Sequence, residues 1–149
     1  MIYTDLTETA IKIAFEAHKN QKDKAGLPYF HHPMHIAEKF NDEKLIATAL
    51  LHDVVEDTEI TFDDLRAQNI PDDIICALKL LTHDKNVSYD DYIKNIQSNE
   101  IAKQVKIEDL RHNLDTTRMR NVDSDDMSKE KTKKRIAKYR KSLAYLLNN

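Results

Sequence analysis

Leu45–Asp57 reads LIATALLHDVVED, an apolar run that ends in four polar side chains, His52, Asp53, Glu56 and Asp57. With about 100° of rotation per residue, those four span roughly 140° of one helix. Leu45, Ala49 and Leu50 ahead of them are side chains that a buried helix presents. The run therefore predicts a helix set into a core, with an imidazole and three carboxylates together at its C-terminal end. Carboxylates gathered at a buried end without a cation are costly, and the usual resolutions are a shifted pKa, a partner or a metal. A helix fraying into solvent would carry the same charges harmlessly. The adjacent His52-Asp53 pair, with metal-competent residues elsewhere in the chain, favours the buried reading.

Outward from this stretch, the composition is that of a soluble helical protein. The 149 residues are 40% hydrophobic and 33% charged, with one Gly, three Pro and no Trp. β-Rich folds need Gly at turns and bulges, so the fold class expected is all-α, a helical bundle, with residues 1–149 as a single domain. A net charge of −3 gives no general attraction to nucleic acid. No apolar run reaches membrane-spanning length, and the N-terminus lacks the apolar region of a signal peptide. Neither nucleic acid nor a membrane is therefore expected as a partner. The lone Cys76 excludes an intrachain disulfide and an all-cysteine zinc site and suits a reducing cytoplasm, and its setting in IICALKLL reads as core. The oligomeric state stays open, a homodimer included.

Several helices are legible in chain order. From about Leu6 to Lys19, Ile11, Ala14, Phe15 and His18 share one face, and His18 reads as a structural polar residue at its end. Residues 20–27 form a polar loop with the only Gly and with Lys22 and Lys24. In PYFHHPMHIAEKF, Pro33 fits the first turn of a helix and places His32 at or just before its start. His31 and His35 are read as surface or hydrogen-bonded histidines. Thr61 with Asp64 forms a capping-box pair, Pro71 opens a helix with Ile74, Ile75, Leu78 and Leu81 as its core stripe, and Ser88 caps a helix to about Ile96. In the helix near Val105–Leu110, Asp109 interrupts an apolar run and Asn113 follows one turn later on the same face; a salt bridge from Asp109 to Lys106 or Arg111 is the plain alternative to a functional role. Residues 121–129 read as a loop and Glu130–Leu147 as a last amphipathic helix. Its basic run KEKTKKR is read as solvated, with Ile136, Tyr139, Leu143 and Leu146 turned inward.

The metal-competent groups carried on helices are His32, His52, Asp53 and Asp109. Two imidazoles and two carboxylates suit Mn²⁺, Fe²⁺ or Zn²⁺ better than Ca²⁺ or Mg²⁺, which prefer all-oxygen shells. Such a cation polarises a phosphoryl group and acidifies a bound water, and Glu56 and Asp57, one turn beyond, are placed to orient or deprotonate it.

A lone His, an adjacent His-Asp and a distant Asp resemble the HD-domain metal phosphohydrolases. The segments AHKNQKDKAGLPYFHHP at Ala17–Pro33, ALLHDVVEDT at Ala49–Thr58 and VKIEDLRHN at Val105–Asn113 resemble more closely the hydrolase domain of RelA/SpoT-type alarmone enzymes, above all its short stand-alone form. The resemblance runs from about Leu6 to Met119. It implies an HD-domain helical bundle, Mn²⁺ held by His32, His52, Asp53 and Asp109, and Glu56 and Asp57 beside the attacking water. It also implies hydrolysis of the 3′-diphosphate of (p)ppGpp, with Lys22, Lys24 and Asn113 toward the nucleotide. Two departures touch substrate grip: Lys22-Asp23-Lys24 stands where the family has an arginine-lysine pair, and the last motif reads EDLRHN, without the arginine that follows this Asp in long members. Lys85, Tyr89 and Tyr92 are further candidates for phosphate and base contact. The length leaves no room for a synthetase domain, so alarmone synthesis is not expected. The rival readings are a phosphohydrolase for another nucleotide, such as a 5′-nucleotidase, and a non-catalytic nucleotide sensor; intact ligands and an intact Glu-Asp pair weigh against the sensor.

Overall fold

A computed structural model describes residues 1–120 and 126–148. Among them the architecture is all-α, with an isolated bridge between Lys22 and Pro28 in place of any strand. The helices are α1 (Asp5–His18), α2 (His31–Ala37), α3 (Glu43–Leu51), α4 (Val54–Asp57), α5 (Phe62–Ala67), α6 (Asp72–Leu81), α7 (Tyr89–Gln97), α8 (Glu100–Asn113) and α9 (Asp126–Asn148), with a 3₁₀ turn at Thr116–Met119 before α9. No described helix is long and apolar enough to cross a membrane.

α3 is the hub. Ile46, Ala47, Ala49 and Leu50 are wholly buried, so the helix is apolar around most of its circumference, as a helix packed on several sides must be. α1, α2, α6 and α8 pack against it. Asp42 caps its start by accepting from the amides of Lys44 and Leu45. α8 is the second central element: it lies on α3, α6 and α7 and is covered by α9.

The expected caps form. Thr61 and Asp64 make a reciprocal capping box, and the Ser88 hydroxyl accepts from the Asp91 amide. Other expectations are corrected. The helix expected through Asp57 breaks at His52-Asp53: the His52 ring takes the Ala49 carbonyl, and Asp53 turns to φ −106° and ψ 0° to cap α4. Cys76 is exposed, because it shares the Asp72 and Lys79 face of α6, opposite the buried stripe of Ile74, Ile75, Leu78 and Leu81. Phe15 also lies outside the core, edge-on to Phe30 at 5.5 Å. The last helix begins at Asp126, within the expected loop; residues 121–125 lie outside the described residues.

Candidate metal centre

Three segments deliver side chains to one point. α2 carries His32 in its first turn, the break after α3 carries His52 and Asp53, and α8 carries Asp109. Donor atoms of His32, His52 and Asp109 all lie within 4.8 Å of one another, and all three residues are buried. Asp109 Oδ1 is 3.0 Å from His32 Nε2 and 3.5 Å from His52 Nε2. Asp53 Oδ2 completes the group, 3.0 Å from His52 Nε2 and 3.8 Å from His32 Nε2.

The donor set fits a divalent cation. His52 donates from Nδ1 to the Ala49 carbonyl at 2.6 Å, which fixes its tautomer and leaves the Nε2 lone pair turned into the cluster. That Nε2 is buried without a hydrogen-bond partner. His32 Nδ1 faces away, 2.7 Å from His112 Nδ1. Burial, with Arg118 and His32 nearby, pushes His112 down to about 3, so it stays neutral and can accept the His32 proton. Burial works against charge on His52, but Asp53 and Asp109 hold its pKa well above the ordinary value. The cluster thus draws a positive charge, proton or metal, and the two compete for the same nitrogen.

The surroundings brace the carboxylates. Burial opposes the charge on Asp109, but Lys106 and the two imidazoles hold its pKa well below the usual range. Lys106 donates to Oδ2 at 2.9 Å while lying over the Tyr92 ring, and Asn113 donates from Nδ2 to Oδ1 at 3.1 Å. The salt bridge weighed as the plain alternative for Asp109 therefore exists alongside the cluster. Tyr29 donates its hydroxyl proton to Asp53 Oδ2.

His32, Asp53 and Asp109 of the cluster line a cleft of about 390 Å³. Glu56 and Asp57 stand on one wall, and Lys22, Lys24 and Asn113 line the same space. Glu56 Oε1 accepts from the His83 amide at 3.0 Å. Desolvation at the wall, then the charges of Asp53 and Glu56, pushes the Asp57 carboxyl up to about 6. Lys85, Tyr89 and Tyr92 are not in the lining; Tyr92 is buried, donating to the Leu81 carbonyl beneath the site. Tyr29, Lys106, Arg118, Met119, Arg135 and Tyr139 line it without having been singled out as site residues. Tyr29 had a signal, its place one turn before His32. Arg135 and Tyr139 are spaced i, i+4 on α9, but a basic run reads as solvated until its packing partner is known. His18 is buried as a structural polar group, bonded to Gln21 and tilted against Tyr29; His31 bonds to Asp23 and His35 stacks on His112.

A sequence model of the HD domain matches residues 10–146. The chain belongs to the HD domain family. This HD domain is 43% identical over 70 residues to the Danio rerio protein guanosine-3′,5′-bis(diphosphate) 3′-pyrophosphohydrolase MESH1, a match covering 42% of this chain and 38% of that protein. It is 40% identical over 63 residues to the guanosine-3′,5′-bis(diphosphate) 3′-pyrophosphohydrolase of Aquifex aeolicus, covering 40% of this chain and 9% of that one. The chain thus aligns with well under half of either relative. The fold is shared with a solved structure described as a metazoan ortholog of SpoT that hydrolyzes ppGpp. That likeness has a TM-score of 0.80, 23% identity, and coverage of 99% of this chain and 88% of that one.

Proposed function

We propose that this HD domain is a divalent-metal-dependent phosphohydrolase that converts ppGpp and water to GDP and pyrophosphate. The observation that carries the reading is the convergence of His32, His52, Asp53 and Asp109, three of which line a cleft that also holds lysines and the Glu56-Asp57 pair. These four residues would hold the cation, with Mn²⁺ proposed and Fe²⁺ or Zn²⁺ as alternatives. A bound cation supplies Lewis acidity at a phosphoryl oxygen and makes a water more acidic. Glu56, steadied by the His83 amide, takes the proton of the attacking water, and Asp57 helps to orient it. The water oxygen bonds to the phosphorus joined to the 3′-oxygen, that P–O bond breaks, and the 3′-oxygen regains a proton. Lys22 and Lys24 meet the diphosphate charge and Asn113 offers a neutral donor. The activity named for the matched relatives supports the nucleotide, and the single exposed thiol of Cys76 suits a reducing compartment such as the cytoplasm.

A second reading, hydrolysis of another nucleotide, is favoured by one observation: Lys22-Asp23-Lys24 lines the cleft where the alarmone enzymes carry an arginine-lysine pair. The test is product analysis of the Mn²⁺-loaded protein with ppGpp, pppGpp, GTP and deoxynucleoside monophosphates. Release of pyrophosphate from ppGpp without ATP is expected. Turnover of a monophosphate with ppGpp untouched transfers the reading to a nucleotidase, and tight ppGpp binding without product makes the domain a sensor. Within the same assay, Asp53→Asn should lose metal and activity together. Glu56→Gln should keep its metal by elemental analysis and lose turnover on the order of 10²–10⁴-fold. Loss of metal from the Glu56 variant would make Glu56 a ligand instead.

A further inference from the structure

An aspartate between two lysines in a loop facing phosphates ought to weaken the loop's grip, since its charge both repels the ligand and offsets the lysines. Here the Asp23 carboxylate is occupied elsewhere. Oδ1 accepts from the amides of Ala25 and Leu27, both at 2.9 Å, and these bonds close the loop on itself. Oδ2 is 2.9 Å from His31 Nε2 and 3.7 Å from Arg118 Nη2. Desolvation opposes its charge, yet the His31 bond and the loop amides hold its pKa below the ordinary value, so it stays a carboxylate.

Arg118 reaches this loop from the 3₁₀ turn, on the far side of the cleft in sequence but beside it in space. It is anchored at its other end. Nη1 donates to the His112 carbonyl at 2.8 Å, near the C-terminus of α8, and lies 3.5 Å from Asn113 Oδ1. Asn113 in turn bonds to Asp109. One guanidinium therefore ties the loop of Lys22 and Lys24 to the end of the helix that carries Asp109. A planar fork with several donors suits such a bridge, whereas a lysine ammonium could meet only part of it.

We propose that Arg118 is a positioning residue: paired with Asp23, it fixes the lysine loop over the cleft and sets how tightly the phosphate end of the ligand is held. It acts through Lys22 and Lys24, without touching the scissile bond. The substrate part of this inference rests on the phosphohydrolase reading above, whereas the clamp itself does not. Removing Arg118 unties the loop from the end of α8 and takes one cation away from the Asp23 carboxylate, which keeps its bonds to His31 and the loop amides.

The probe is inorganic pyrophosphate, titrated calorimetrically into the Mn²⁺-loaded protein and its Arg118→Met, Asp23→Asn and doubly substituted variants. Arg118→Met should weaken pyrophosphate binding about tenfold, the scale of one charge-assisted contact. The double variant should bind no more weakly than Arg118→Met, because the two losses share one interaction. Arg118→Lys should recover part of the affinity. If ppGpp is a substrate, KM should rise by the same factor with kcat within about twofold. Should Arg118→Met melt too early to use, Arg118→Gln, which keeps a donor amide, takes its place with the same expectation. Unchanged pyrophosphate affinity on loss of Arg118, or fully additive effects in the double variant, overturns the clamp. Wild-type protein that binds pyrophosphate but leaves ppGpp intact overturns the substrate reading and leaves the calorimetric result to decide the clamp.

Discussion

Asp57 ends α4 at the cleft wall with a carboxyl raised from 3.8 to about 6 by desolvation and by Asp53 and Glu56. The folded chain therefore holds this proton more tightly than the unfolded chain. Its contribution to stability is complete below about pH 3.8 and is lost as pH rises through about 6. Asp57→Asn cannot ionise, so in chelator-treated protein the variant should gain melting temperature relative to wild type as pH climbs through that window. Thermal melts across it check the sign; a difference that does not change with pH contradicts the shift. At this scale much of the site was legible. His32, His52, Asp53 and Asp109 stand out as chemically competent residues at unusual places in apolar patterns. Lys106 was named only as the plain partner of Asp109, because a pairing three residues apart on one helix says nothing of what lies on the carboxylate's other side.

α3 organises the core, and its stability should be correspondingly sensitive. Leu50 is fully buried in this helix, so Leu50→Ala should cost about 2–5 kcal/mol, read as a lowered midpoint in urea with the slope unchanged. The same substitution at exposed Leu147 should shift the midpoint little, within about 0.5 kcal/mol. Helix starts at Thr61 and Ser88 were readable because caps are local: a side-chain oxygen and an amide two or three residues on make the whole bond. The break at His52-Asp53 was not readable. Its residues are compatible with a continuing helix, and the turn is held by the His52 ring on the Ala49 carbonyl and by the cluster that both side chains join.

The site exists only when α2, the α3–α4 break and α8 are docked, so cation binding is coupled to the whole fold. A cation that binds the folded chain alone should add about 2.7 kcal/mol of stability at a free concentration about a hundred times its Kd. Differential scanning fluorimetry with Mn²⁺ should show a rise in melting temperature for wild type and none for Asp53→Asn. An equal rise in both would mean that the ion binds away from this cluster. Acid should abolish the wild-type rise, because a proton on the His52 nitrogen takes the cation's place.

Periodicity, caps and the scarcity of Gly were enough to establish an all-α chain, its approximate helices and the residues able to bind a metal, because each of those depends on neighbours within a turn or two. Tertiary structure alone decided the rest. It turned Cys76 outward on the face opposite the α6 stripe, brought Arg118 to Asp23 across 95 positions of sequence, and set Arg135 and Tyr139 of α9 into the cleft. Such pairings depend on how whole helices rotate and dock against one another, and a helix's own sequence specifies which face is apolar without specifying which partner that face will meet.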